Sequence, residues 1–375
     1  MSTARTRRGS TPVSPVKGRG ATFNPANRFR SEEREPVDDG WSAPAPPEAD
    51  DGSAAPDEPP PLRTTVTIVR ARSIIARNDS PDIPFDQSIN PYQGCEHGCV
   101  YCYARPSHAY LDLSPGLDFE TKLYAKPDAA ALLTAELARP GYVCEPIALG
   151  TNTDPYQPIE REWKITRSII EVLAACNHPL TITTKGVLVE RDIDLLAPMA
   201  AKRLARVYIS IAMLDKTLAR TLDPRAPAPA RRLQMVRTLA DAGIPVGVMI
   251  APVIPGLTDK DLEGILEAAA AHGATSAGWI MLRLPREVAP LFRDWLTTHQ
   301  PLRAAHVMSL VNQVRGGKDN DPRFGERMRG SGTLAALIKR RFDLAVKRLG
   351  LNAERSPLDR SLFRPSADER QASLF

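Results

Sequence analysis

The chain has 375 residues, 42% of them hydrophobic, enough for one large domain with extensions or for two medium ones. Charged residues make up 25% and the formal net charge is +5, an ordinary balance for a soluble protein. Five cysteines in this length exclude a disulfide-stapled secreted scaffold, and no apolar run reaches the ~18 residues that a membrane span needs.

Residues 1–61 hold 11 of the 35 prolines. Residues 1–30 carry seven Lys or Arg and no acid, whereas 31–61 carry ten Asp or Glu and only Arg34. With few large apolar side chains, this stretch buries too little surface to offset its chain entropy. Residues 1–62 are therefore expected to be a mostly disordered tail. The first residues are basic but lack an apolar core, so they do not read as a secretory signal, and the expected compartment is the cytoplasm.

The pattern changes from about Leu62. Residues 63–72 are rich in Val, Thr and Ile, and a strand is predicted near 88–92. β-Branched runs at 146–150, 180–184, 206–213, 245–253 and 277–282 then alternate with helix-like stretches at 160–176, 187–202, 230–242, 259–272 and 286–298. Breakers such as Asn177-His178-Pro179 separate them. Six β–α units without a Gly-rich dinucleotide fingerprint predict an α/β fold, a partial (β/α)6 TIM-like barrel over 63–300. Residues 301–350 read as a basic helical extension, with ten Lys or Arg against four Asp or Glu between Arg315 and Arg348 and a helix over 333–349. Residues 351–375 read as a flexible polar tail.

The most specific feature is Cys95-Glu96-His97-Gly98-Cys99-Val100-Tyr101-Cys102, a C-x3-C-x2-C spacing. Such short spacers bring three thiolates round one centre, and soft thiolates select iron–sulfur clusters or zinc. A [4Fe–4S] cube usually takes four cysteines, so a local trio leaves one iron open to another ligand. The trio follows the first strand of the series, on the barrel face where sites are built. Zinc is the alternative, with His108 completing a Cys3His set. His97 reads as a supporting or surface group. Cys144 and Cys176 read as buried small hydrophobes.

The trio continues a longer string, Ser88-Ile89-Asn90-Pro91-Tyr92-Gln93-Gly94 before it and Tyr103-Ala104-Arg105 after it. This string resembles the radical S-adenosylmethionine (radical SAM) superfamily, in the branch related to spore photoproduct lyase. Further matches are Phe119-Glu120-Thr121-Lys122, Gly150-Thr151-Asn152-Thr153-Asp154-Pro155-Tyr156-Gln157-Pro158, Thr183-Thr184-Lys185 and Arg191-Asp192. The likeness covers about 63–350. Residues 18–41 are similar to a leader of this branch, which implies order within part of the tail.

The resemblance implies a [4Fe–4S] cluster on Cys95, Cys99 and Cys102. Its open iron would chelate S-adenosyl-L-methionine, and a low-potential electron donor would drive cleavage to a 5′-deoxyadenosyl radical. The resemblance places Tyr101 toward the adenine and Thr153 and Asp154 at the amino group. It places Lys185 at the methionine carboxylate, Ser210 near the ribose hydroxyls, and residues 253–256 beside the adenine. Tyr103 matches a tyrosine of the lyase linked to radical relay. One departure matters: the lyase's hydrogen-donating cysteine is expected around Thr151, and residues 150–158 contain no cysteine. The lyase's own repair route is therefore not implied.

The basic segments suggest nucleic acid as substrate, in repair or modification. Gln371, Leu374 and Phe375 form a Gln-x-x-Leu-Phe end that resembles the bacterial sliding-clamp-binding pentapeptide. Two other readings stay open: the same chemistry on a protein or small molecule, and a non-enzymatic, metal-stabilised nucleic-acid-binding protein.

Overall fold

The β-branched runs become strands because neighbouring elements cover both of their faces. The computed structural model describes residues 16–30, 62–353 and 356–365. Its strands are β1 (Thr65–Ile68), β2 (Ile75–Arg77), β3 (Gln87–Ile89), β4 (Tyr92–Gln93), β5 (Lys122–Ala125), β6 (Ile147–Leu149), β7 (Leu180–Thr184), β8 (Ala205–Ser210), β9 (Val246–Val253) and β10 (Ser276–Met281). Its first helices are α1 (Leu117–Thr121), α2 (Ala129–Leu137), α3 (Glu160–Trp163), α4 (Ile165–Ala175), α5 (Ile193–Ala201) and α6 (Lys216–Leu222). There follow α7 (Pro229–Asp241), α8 (Leu262–Ala271), α9 (Val288–His299), α10 (Ala304–Gln313), α11 (Glu326–Arg329) and α12 (Gly332–Arg348). Among the described residues no helix is long and apolar enough to cross a membrane.

Seven strands form the main sheet in the order β10-β9-β8-β7-β6-β3-β2. From β3 to β10 all neighbours are parallel, and β2 is an antiparallel edge. The six parallel strands are the six predicted units, and they make a partial TIM-like barrel. Ile182, Val207, Ile209, Val248 and Ile250 are buried at its centre. Near-continuous apolar runs of this kind suit strands covered on both faces.

A second sheet, ordered β1-β5-β4, holds the cysteine segment. β4 pairs antiparallel with β5, Tyr92 opposite Ala125 and Gln93 opposite Tyr124. Residues 94–121 are thus an excursion pinched at its base by that pairing.

Some expectations change. The helix predicted over 160–176 breaks at Lys164, which takes a left-handed φ of 51°. Glu160 causes the break: its carboxylate accepts the Thr166 and Arg167 amides at 3.0 and 3.3 Å, capping α4. Residues 187–192 are a 3-10 turn ahead of α5 rather than its first turns.

The tails are not wholly loose. Residues 16–30 pack onto the cysteine excursion, which corrects the disordered reading for that part of 1–62. Residues 356–365 dock beside the start of β7, which corrects the flexible reading for that part of 351–375. There the Arg364 amide donates to the Cys176 carbonyl, and the Phe363 ring lies 5.2 Å from His178.

His178 is buried, with Nε2 2.8 Å from the Tyr142 hydroxyl and Nδ1 3.0 Å from the Pro179 carbonyl oxygen. Burial pulls its pKa down to about 4, against the Pro179 bond. The unfolded chain therefore binds a proton here that the folded chain excludes. This contribution is present above pH 6.5 and is lost as pH falls toward about 4, at about 1.4 kcal/mol per unit. Denaturant midpoints compared between wild type and His178→Gln should show a smaller acid loss in the variant. Equal loss would remove His178 as the cause.

The C-terminal extension covers the open seam of the barrel. From α11, Arg329 Nη1 donates to the Trp279 carbonyl on β10 at 2.6 Å. On the far side of the seam Arg327 pairs with Asp82 at 2.6 Å, in the loop after β2. Helix α12 is tied to α8 by Arg341–Glu263 and Arg348–Glu267.

Candidate active site

The residues singled out from sequence gather at the C-terminal ends of the barrel strands. Cys95, Cys99 and Cys102 follow β3 and β4, Thr153 and Asp154 follow β6, Lys185 follows β7, and Ser210 ends β8. The cysteine loop turns tightly: the Gly98 amide donates to the Cys95 carbonyl at 3.4 Å and the Cys102 amide to the Cys99 carbonyl at 3.2 Å. Gly98 sits at φ +67°, and a Cβ there would lie 2.8 Å from Glu120 Oε2. Position 98 therefore requires glycine on both conformational and steric grounds.

A buried ion pair braces the loop from behind. Arg105 and Glu120 meet at 2.5 Å with both side chains fully buried. Arg105 also donates to the Cys99 and Gly98 carbonyls at 2.9 and 3.1 Å. Glu120 accepts the Gly20 and Ala21 amides at 3.0 and 2.9 Å. The leader is thereby stitched to the loop that carries the thiols. Its other end reaches α9 and the residue before it, through Thr22 with Asp294 and Arg28 with Glu287. A Cβ on Gly20 would sit 1.8 Å from the Gly98 carbonyl oxygen. Gly20→Ala should dislodge the leader, lowering stability by about 1–3 kcal/mol and reducing retained iron after reconstitution. Thermal unfolding and iron analysis read the two effects, and an unchanged melting midpoint would refute the packing argument.

The front of the loop meets a carboxylate network. His97 Nδ1 lies 3.2 Å from Asp154 Oδ2. Burial alone would pull His97 down, but Asp154 and Cys95 more than offset it and hold it at about 9. Asp154 also accepts the Thr184 hydroxyl at 2.6 Å, the Lys185 amide at 2.7 Å and the Tyr156 amide at 2.9 Å. Burial opposes its charge, yet His97 keeps it below the usual carboxylate range. Asp154 is thus saturated by protein donors. The Thr153 hydroxyl donates to the Tyr92 carbonyl at 3.0 Å. Both residues sit where sequence placed them, but as braces between β6, β7 and the loop. His97 is the supporting group it was read as.

Tyr101 is tied down as well. Its hydroxyl donates to Asp223, which pairs with Arg232 at 3.0 Å, all three being buried. Lys185 Nζ lies 6.0 Å from the centroid of the Tyr101 ring. Burial pulls the Lys185 ammonium down, and the charges at Cys99 and Asp223 more than offset it. Ser210 is buried, and its carbonyl accepts Arg232 Nη1 at 3.1 Å. The Tyr103 hydroxyl donates to the Thr151 carbonyl, so this tyrosine occupies the strand end where the lyase's cysteine is expected.

Asp223, Arg232 and the Arg105–Glu120 brace were not assigned from sequence. Arg105 and Glu120 stand inside the quoted motifs, a signal that was present without a role. Asp223 had none, lying after a short helix far along the chain from Tyr101.

The donor set, three thiols on one loop, fits an iron–sulfur cluster. Burial raises Cys99 first, then Asp223, with Cys102 and Cys95 adding, and burial likewise raises Cys102. Among the described residues no three His, Cys, Asp or Glu side chains come close enough to hold a single metal ion. His108, the candidate fourth zinc ligand, has Nε2 2.9 Å from the Lys122 carbonyl oxygen and packs edge-on against Phe119. Cys144 is half-buried and Cys176 buried.

Half of the ten basic residues between Arg315 and Arg348 are in ion pairs. Arg323, Arg327, Lys339, Arg341 and Arg348 are in ion pairs, and Arg315 and Arg329 donate to backbone carbonyls. Gln371, Leu374 and Phe375 lie outside the described residues.

Comparison with known proteins agrees with this geometry. The defining pattern of the Radical SAM superfamily matches residues 89–269. An uncharacterized protein of Mycobacterium tuberculosis is 40% identical over 249 residues, 66% of this chain and 72% of that protein. An uncharacterized protein of Methanocaldococcus jannaschii is 29% identical over 173 residues, 46% of this chain and 62% of that protein. Among solved structures, spore photoproduct lyase complexed with dinucleoside spore photoproduct is similar in fold at 16% identity. Its TM-score is 0.54, covering 76% of this chain and 80% of the lyase. A lyase variant with bound AdoMet and dinucleoside spore photoproduct gives 0.53. A cysteine trio at the mouth of a six-unit partial barrel, matched by pattern and by relatives, makes this chain an enzyme of the radical SAM superfamily, whose cofactors are a [4Fe–4S] cluster and S-adenosyl-L-methionine.

Proposed function

We propose that Cys95, Cys99 and Cys102 hold the cluster and that the protein uses it to act on nucleic acid, in repair or modification. The observation that carries the cluster assignment is the thiol trio on one braced loop at the barrel mouth, Cys95 and Cys99 buried and Cys102 half-buried, with the Lys185 charge acting on Cys99. When bound, the cluster and S-adenosylmethionine supply a 5′-deoxyadenosyl radical able to take hydrogen from an unactivated C–H bond. The chain's own residues orient and shield. Arg105 fixes the carbonyls of the loop, and the Asp223–Arg232 pair fixes Tyr101. Lys185 offers a cation for a carboxylate. The apolar cluster containing Val100, Ala212, Met213 and Ile254 keeps water from the loop.

Two features support nucleic acid. The similar lyase fold was solved with a dinucleoside photoproduct, and arginines 283, 315 and 327 gather where β10 ends. With no cysteine in 150–158, the return of hydrogen differs from the lyase's. The test is anaerobic reconstitution with iron and sulfide, then dithionite and S-adenosylmethionine with and without DNA or RNA. Formation of 5′-deoxyadenosine, with label moving between cosubstrate and nucleic acid, is expected. Product without any nucleic-acid dependence would instead favour a protein or small-molecule substrate.

A further inference from the structure

The buried arginines of this protein are well supplied with acceptors. Arg315 donates to the carbonyls of Met281, Leu282, Glu326 and Arg327. Arg232 reaches Asp223 and the carbonyls of Pro227 and Ser210. Arg105 binds four carbonyls and Glu120.

Arg283 is different. It follows β10 on the C-terminal face of the barrel. The side chain is half-buried; its Nε is buried and lacks an acceptor, and its one hydrogen-bond partner among the described residues is the Met328 sulfur, 3.7 Å from Nη1. It forms no ion pair among the described residues. Asp82 acts on it electrostatically, but that carboxylate is held by Arg327 at 2.6 Å and by the Gly325 amide at 2.7 Å. Burial and the like charge of Arg327 both weigh against its ionised form. The guanidinium carbon lies 5.4 Å from the centroid of the Tyr103 ring, and Tyr103 is 47% exposed. Arg283 therefore stands where the loops after β4, β6 and β10 meet, beside the residue that follows the last cysteine.

A guanidinium with unmade hydrogen bonds is destabilising unless an acceptor arrives. The fitting acceptor is a planar or tetrahedral oxyanion that takes two N–H groups at once. We infer that Arg283 is a substrate-anchoring residue that binds a phosphodiester of the nucleic acid, over the mouth next to Tyr103. This rests on the nucleic-acid reading and gives it a site.

The test uses full-length, cluster-reconstituted protein under anaerobic conditions and a short labelled single-stranded DNA, with anisotropy read over a range of salt. The variants are Arg283→Gln, Arg283→Lys, and the double variant Arg340→Gln with Lys347→Gln on the exposed face of α12. Arg283→Gln should weaken binding about tenfold and flatten the log–log salt slope by ~0.7, the share of one phosphate contact. Arg283→Lys should recover part of the affinity, and its iron content and melting midpoint serve as folding controls. The inference is overturned if Arg283→Gln binds DNA like wild type, or if the loss follows the α12 variant instead. It is also overturned if an acidic peptide, and not DNA, is the probe whose binding depends on Arg283. Wild-type protein that forms 5′-deoxyadenosine yet binds neither this DNA nor an RNA of the same length would overturn both the site and the nucleic-acid reading, and leave the radical chemistry standing.

Discussion

Cys99→Ala is expected to lose 5′-deoxyadenosine formation completely, along with the absorbance and the reduced-state paramagnetic signal of the cluster. Two thiolates cannot hold a four-iron cube against loss of a corner iron, and among the described residues no further thiol stands on this loop to replace it. The nearest charged groups are Lys185, a cation, and Asp223, already engaged by Arg232 and Tyr101. The fold should survive, because Cys99 packs in an apolar cluster with Val100, Tyr101, Ala212 and Met213, where a methyl is tolerated. Cys144→Ala is the control: that thiol lies in the segment before β6 and is raised to about 11 by burial and Glu145, so activity should be unchanged. A Cys99→Ala protein that retained both signal and product would end the cluster assignment.

Glu120→Ala is expected to cost about 3–5 kcal/mol, because it leaves the buried Arg105 guanidinium without its counter-charge. It also strips the acceptor from the Gly20 and Ala21 amides, so the leader detaches in the same step. The double variant Arg105→Met with Glu120→Leu separates the two roles. Apolar replacement of a buried pair is often close to neutral, so stability should partly return. Iron retention should not return, since the Cys99 and Gly98 carbonyls still lack the Arg105 donors. Full recovery of iron in the double variant would show that the pair is only a folding device.

The barrel was legible because its signals are local. β-Branched runs recur with breakers between them, and the strand at Leu180–Thr184 falls where its pattern says. The cysteine trio was legible for the same reason, as three ligands within eight residues. What could not be read was partner choice across distance. Glu120 looks like any helix acid until Arg105, Gly20 and Ala21 are brought to it. Asp154 looked like a ligand to the cosubstrate's amino group, and its acceptor capacity is taken by His97, Thr184, Lys185 and Tyr156. Of the α12 arginines, Arg341 and Arg348 are met by Glu263 and Glu267 on α8, pairings that no local pattern announces. By composition residues 16–30 looked too polar to order, and only the leader likeness pointed the other way, because they bury mainly backbone amides and arginines. Composition weighs only apolar side chains.

The leader has a consequence for the order of assembly. Gly20 finds its acceptor 100 residues later and Thr22 finds Asp294 272 residues later. During synthesis these residues wait in the open while most of the barrel is made, and contacts of such separation form slowly. The leader's anchors on the thiol loop and on α9 are thus complete only once residue 294 has been made.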